Sequence, residues 1–328
     1  MSRPWHLLFT IITLLLAAGI FGNCTTTSPG REIKAGKTSE HKVDIRYNSV
    51  RRSYRVHVPS GYRPEVATPL VIAIHGAFST AKTFEKETGF SKLGDKESFI
   101  VIYPNGIGIF GWLQHWNAGH CCGKAAADDV DDIGFIVEVI TDVSRFLNVD
   151  QGRIYMVGFS NGGMFTHRFG AERSHRLAAI APLAGSIGGR PGPEASLWRT
   201  PPADTPLPVI LFHGRSDEKV PYLGGPVGGK PGEREYLSAQ ESALFWANGN
   251  GCVSPPRREK RNGGAVGLDT WDDCEKGAQV LLYTLKDYGH VWPGRYFTDN
   301  LKPENPMHGF DAAEIIWRFF QQYRRPNP

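Results

Sequence analysis

A serine, a histidine and a carboxylate, the three groups that together can activate a hydroxyl, each occur in this chain in a setting that singles them out. Ser160 lies in Gly158-Phe159-Ser160-Asn161-Gly162-Gly163, directly after the apolar run Arg153-Ile154-Tyr155-Met156-Val157 and ahead of a helix-like stretch from Met164. A serine on a tight strand-to-helix turn is held up and exposed, and small residues at 158 and 162 leave the turn room to close. Its hydroxyl is a weak nucleophile at neutral pH and needs a base to take the proton during attack. His290, in Gly289-His290-Val291-Trp292-Pro293-Gly294 after the strand-like residues 279–285, is the candidate base. Asp217, just past the buried-strand pattern of residues 207–214, is the candidate partner for the other ring nitrogen, with Glu218 next in line.

Acyl transfer through such a serine also needs N–H donors for the developing oxyanion. The amide of Asn161, where a helix begins behind Ser160, is one candidate. The amide of Ala77, in His75-Gly76-Ala77-Phe78 after the apolar residues 69–74, is the other. Phe78, Trp116 and Trp292 are candidate walls of a substrate pocket. His75, His115, His120 and His213 compete with His290. Of these, His75 and His213 precede glycines at strand ends, where a packed imidazole bonded to backbone is expected. Asp128, Asp129, Asp131 and Asp132 precede the serine and read as the acidic first turn of a helix.

These side chains need a sheet to hold them. Residues 41–47 and 53–58 alternate polar and apolar around Asn48-Ser49, as a β-hairpin does. Residues 70–74 and 99–103 are short apolar runs of the buried parallel kind. Ile133, Ile136, Val137, Ile140, Val143 and Phe146 form a helical stripe over residues 132–147. Strand 154–157, helix 163–171, strands 177–183 and 209–212, helix 236–248 and helix 311–323 complete the alternation. The expected class is α/β: a mostly parallel sheet with helices on both faces and an antiparallel N-terminal hairpin. The Gly- and Pro-rich stretches 185–206 and 223–232 break the rhythm and are expected to shape the cleft. Arg257-Arg258-Glu259-Lys260-Arg261 reads as a solvated loop.

A formal charge of only +4, with no dense basic patch interleaved with aromatics, argues against a nucleic-acid partner. At the amino terminus, Arg3 precedes residues 7–21, which are apolar apart from Thr10, Thr13 and Gly19 and suit a signal-peptide core. Ile20-Phe21-Gly22-Asn23-Cys24 is similar to a lipoprotein signal, in which Cys24 is lipidated and attaches the chain to a membrane; plain secretion and an uncleaved anchor are the alternatives. The expected organisation is a targeting segment at 1–24, a polar linker at 25–39 and a catalytic domain at 40–324, working outside the cell or in a periplasm. Export permits disulfides. Cys252 and Cys274 flank one irregular excursion and are expected to pair, while Cys121 and Cys122 either bond to each other or reach elsewhere. No C-x-x-C or H-x-x-x-H spacing supports a metal site, and none is expected.

The stretches Trp116-Asn117-Ala118-Gly119, Val130-Asp131-Asp132-Ile133-Gly134-Phe135 and Gly158-Phe159-Ser160-Asn161-Gly162-Gly163 resemble the secreted polyhydroxybutyrate depolymerase and feruloyl esterase-like family of the α/β-hydrolase superfamily. Gly214-Arg215-Ser216-Asp217 with Val220-Pro221, and Gly289-His290-Val291-Trp292-Pro293-Gly294, are similar to that family's acid and histidine motifs. The resemblance implies a secreted carboxylic-ester hydrolase without a cofactor, whose triad falls on Ser160, Asp217 and His290. Its substrate would be a hydroxyalkanoate ester or an aromatic acyl ester linked to a polysaccharide. A peptidase on the same fold and a non-catalytic surface lipoprotein acting as a binding module are the competing readings.

Overall fold

The computed structural model describes residues 34–109 and 111–325; the targeting segment, Cys24 and most of the expected linker lie outside the described residues. Among these residues the central sheet contains β1 (Lys37–Tyr47), β2 (Val50–Val58), β3 (Thr68–Ile74), β4 (Ile100–Pro104), β5 (Val149–Phe159), β6 (Ala179–Leu183), β7 (Val209–Gly214), β8 (Arg257–Arg261), β9 (Val266–Trp271) and β10 (Val280–Leu285). Their order is β1-β2-β4-β3-β5-β6-β7-β10-β9-β8. The six strands from β4 to β10 in that order are parallel. The hairpin β1–β2 closes one side antiparallel, and β9 and β8 close the other.

Successive side chains of a strand point to opposite faces, which explains why the central strands read as unbroken apolar runs. Leu70, Ile72 and Ile74 of β3 join one core with Ile136 and Val143 of α3 (Asp132–Phe146), Phe165 of α4 (Asn161–Glu172) and Trp246 of α5 (Ala239–Gly249). Val71 and Ala73 join the other with Phe84 of α1 (Ala81–Thr88), Phe90 of α2 (Phe90–Glu97) and Ile316 of α6 (Ala312–Phe320). Both faces are therefore covered, and chemistry is left to the strand ends.

Three expectations are corrected. Arg257–Arg261 is no loop but the edge strand β8, paired with β9. Its charged side chains are mostly solvated while its backbone supplies ladder bonds, and charge on an edge strand discourages further pairing. Strand β1 starts at Lys37, ahead of the strand start expected at 41. Helix α5 starts after Ser238, which forms a capping box with Glu241, later than the start expected at 236. Tyr236 instead pairs with Gly189 and Gly225 in a small second sheet whose other strands come from the two Gly- and Pro-rich stretches. Cys252 and Cys274 are bonded, tying the segment after α5 to the β9–β10 connection. Cys121 and Cys122 are paired with each other.

Candidate active site

Strand β5 ends at Phe159 and α4 begins at Asn161, so Ser160 alone makes the turn. Its φ of 56° and ψ of −123° lie in a region that costs a residue with a side chain about 1–3 kcal/mol. The turn is held by the Ser160 N–H donating to Leu183 O at 2.8 Å and by Met164 N–H donating to Ser160 O at 2.9 Å. A side chain at 162 would run into the carbonyl oxygens of Ile74 and His75, and one at 158 into that of Gly162. Close backbone approach is thus the reason for both glycines.

Ser160 does not cap its helix with its side chain. Its Oγ lies 2.8 Å from His290 Nε2, and His290 Nδ1 lies 2.6 Å from Asp217 Oδ2. Ser160, Asp217 and His290 follow β5, β7 and β10 respectively, beyond the carboxyl ends of parallel strands. The other carboxylate oxygen, Asp217 Oδ1, accepts from the backbone N–H of Lys219 and of Val220, each at 2.8 Å. Burial pushes the Asp217 carboxyl upward, but the imidazoles of His213 and His290 and the Val220 amide outweigh it and hold it well below the usual carboxylate range. An ionised Asp217 accepts from the His290 Nδ1–H, which leaves Nε2 free to accept from the serine hydroxyl. Glu218 is exposed.

Ala77 and Asn161 line the same cleft as Ser160. Asn161 opens a helix, so its N–H has no intrahelical partner, and among the described residues neither N–H donates to a protein acceptor. The Asn161 side chain has a task that the sequence did not signal. Its Oδ1 accepts from Trp116 N–H at 2.7 Å and its Nδ2 donates to Trp116 O at 3.0 Å, clamping that loop to the start of α4. The loop is held further by Asn117 N–H donating to Asp132 Oδ2 at 2.7 Å. Asp132 in turn forms a buried ion pair with Arg52 at 2.6 Å. The acidic run therefore supplies more than a helix start: Asp131 caps α3 by accepting from Gly134 N–H, and Asp132 anchors the loop.

Of the three candidate aromatics, Phe78 lines the cleft, two-thirds exposed at 68%, with its edge against His115. Trp116 and Trp292 are corrected to core residues, each almost wholly buried. Trp116 donates its ring N–H to His75 O at 3.0 Å and stacks on Phe165. Trp292 packs edge to face on Phe84 and Phe90, behind the Phe159 ring that abuts His290. Closeness in sequence to a site residue does not fix which way a ring points. His75 and His213 are packed as expected. His75 Nδ1–H donates to Gly76 O at 2.8 Å, its Nε2 accepts from Gly106 N–H at 3.1 Å, and burial lowers its pKa to about 4. His213 donates to Val220 O at 2.8 Å, while His120 stacks on Trp198.

The cleft above Ser160 has a volume of about 570 Å³, and Pro191, Val227 and Gly232 from the Gly- and Pro-rich stretches form part of its wall. A depression of equal volume, about 570 Å³, between Lys86 and Arg295 contains none of these groups. Among the described residues no group of three His, Cys, Asp or Glu side chains is placed to hold a metal ion, and no helix is long and apolar enough to cross a membrane.

A serine elbow on a parallel sheet, with acid and histidine following on later strands, defines the α/β-hydrolase fold. A solved acetyl xylan esterase from Aspergillus awamori shares it, with a TM-score of 0.55 and 17% identity over 77% of this chain and 94% of that one. Residues 52–192 match the family model for esterase PHB depolymerase. The chain is 31% identical over 250 residues to feruloyl esterase B of Piromyces equi, covering 73% of this chain and 42% of that protein. It is 30% identical over 135 residues to poly(3-hydroxyalkanoate) depolymerase C of Paucimonas lemoignei, covering 39% of this chain and 30% of that protein. The matches span less than half the length of these two curated relatives. Residues 52–192 thus carry an esterase PHB depolymerase family domain, and the chain is similar to a feruloyl esterase and a polyhydroxyalkanoate depolymerase.

Proposed function

We propose that this protein is an exported serine hydrolase of carboxylic esters that works through an acyl-enzyme intermediate. The observation that carries this reading is the unbroken hydrogen-bond chain from Asp217 through His290 to Ser160, at 2.6 and 2.8 Å, opening into the cleft. Ser160 Oγ attacks the ester carbonyl while His290 Nε2 takes its proton. The oxyanion meets the N–H groups of Asn161 and Ala77, and losing one such donor costs about 3–4 kcal/mol of transition-state stabilisation. The imidazolium then gives its proton to the departing alcohol, and water releases the acid by the same steps in reverse order. Asp217 keeps the imidazole in the tautomer that can accept, and no cofactor enters.

The family supports an ester as substrate, and its members support two acyl types, a hydroxyalkanoate or an aromatic acid esterified to a polysaccharide. Phe78 forms the apolar side of the pocket for either. Residues 1–24 direct export and 25–39 tether the catalytic domain, with lipidation at Cys24 as the attachment to a membrane. Turnover of p-nitrophenyl butyrate, methyl ferulate and polyhydroxybutyrate should be measured side by side, with fluorophosphonate labelling mapped to Ser160. A folded protein that hydrolyses none of them, or a label on another residue, overturns the assignment.

A further inference from the structure

The cleft holds a cation that the hydrolytic steps do not use. Arg234 lines it together with Ser160 and Tyr236. Buried Arg52 and the partly buried Arg55, Arg153, Arg168 and Arg190 each have a carboxylate oxygen within 2.6–2.9 Å, whereas Arg173, Arg176 and Arg325, away from the cleft, form no ion pair among the described residues. Arg234, in the cleft, has no carboxylate partner among the described residues. Its Nη1 reaches only the sulfurs of Cys121 and Cys122, at 3.4 and 3.7 Å, and the Tyr236 hydroxyl at 3.5 Å. Disulfide sulfur is a weak acceptor, and the Arg234 Nε is buried without a partner. The neighbouring acid Glu235 is taken by Arg190 at 2.8 Å, and Glu233, which also lines the cleft, is exposed and forms no ion pair with Arg234. Lys219 adds a second positive charge to the lining.

A half-buried guanidinium with weak acceptors and no counter-charge has been partly desolvated without return. Its planar fork fits a carboxylate through two parallel bonds. We propose that Arg234 is a specificity-determining residue that receives a carboxylate carried by the substrate away from the scissile ester. The inference rests on the esterase reading and narrows it to esters bearing an acid. Two sources carry that group: the free end of a short hydroxyalkanoate chain, and a uronate sugar beside an esterified aromatic acid. Because the carboxylate is absent from the bond being broken, Arg234 acts on binding and orientation and not on the proton transfers.

The test uses two matched pairs, a 3-hydroxybutyrate dimer against its methyl ester, and a feruloyl galacturonate against a feruloyl galactose. The parent enzyme should favour the acid in at least one pair by roughly ten- to a hundredfold in kcat/KM, the range for a hydrogen bond between charged groups. The pair that responds identifies the source. The preference should shrink as ionic strength rises, since the cleft is open to solvent. Arg234→Gln should lower kcat/KM for the acid member of the responding pair and bring the ratio close to one, and Arg234→Lys should keep part of the preference. A parent enzyme without preference in either pair overturns the proposal, as does a Gln variant that keeps it. If the Gln variant loses all activity, the Lys variant and the salt response of the parent decide. Absence of p-nitrophenyl butyrate turnover in the parent overturns the esterase reading itself, and this proposal with it.

Discussion

Asp217→Asn keeps the shape of the side chain and changes only which atoms donate. At this position the structure dictates how the amide must lie. Oδ1 of Asp217 accepts two backbone N–H groups, from Lys219 and Val220, at 2.8 Å each. Turning the Asn NH2 toward them would set donor against donor and leave two buried N–H groups unpaired, at about 1–3 kcal/mol each. The Asn oxygen therefore stays on the amides and its NH2 faces His290 Nδ1, where the carboxylate had been at 2.6 Å. His290 must then accept at Nδ1 and carry its proton on Nε2, which faces Ser160 Oγ and can no longer accept from it. The expected loss is about 10⁴-fold in kcat, or about 5.4 kcal/mol at 1.36 kcal/mol per decade. KM should change by no more than about threefold, because Asp217 does not line the cleft. Steady-state kinetics on p-nitrophenyl butyrate would read both, and ¹⁵N spectra of His290 would report the tautomer. A variant whose kcat stays within tenfold of the parent, or whose loss lies in KM alone, would refute the reasoning. Glu218→Gln is the control and should leave kcat unchanged, since Glu218 is exposed.

Ser160→Ala should abolish turnover and fluorophosphonate labelling with the fold intact, whereas Ser160→Gly, equally inactive, should be about 1 kcal/mol more stable than the Ala variant because glycine adopts a φ of 56° without strain; equal urea midpoints would count against a strained elbow. Replacing Cys252 and Cys274 together by Ala opens a cross-link over 22 residues and should cost about 3 kcal/mol, read as a lower unfolding midpoint with little change in kcat. His75, His120 and His167 are held neutral by burial, with pKa values lowered to about 4, 3 and 3. The stability they leave intact above pH 6.5 should be lost as pH falls from about 6.5 toward those values, at about 1.4 kcal/mol per unit for each, since only the unfolded chain takes up the proton. His167, whose Nδ1 accepts from Trp246 Nε1–H at 2.8 Å, is the one to replace. His167→Asn should flatten the acid limb of a midpoint-against-pH curve, and an unchanged slope would exclude its share.

What the sequence determined by itself is what local sterics and periodicity fix. Glycines at 158 and 162 around a serine, after an apolar strand and before a helix, admit few other turns, because the backbone approaches Ile74 and His75 too closely for a side chain. The central strands were legible because burial on both faces leaves an unbroken apolar run, and the order of serine, acid and histidine followed from the strand ends on which they sit. Tertiary structure alone decided the rest. Strand β8 was invisible because an edge strand satisfies its backbone through one neighbour while its charged side chains look like those of a loop. Trp116 and Trp292 stand near the site in sequence, yet turn into the core because their rings found Phe165 on one side and Phe84 with Phe90 on the other. The Asn161 clamp on Trp116 and the unpaired guanidinium of Arg234 are contacts between segments 45 and more than 100 residues apart. Hydrogen bonds and charge balance over such separations depend on where the fold brings the chain together, and no local pattern of residues records it.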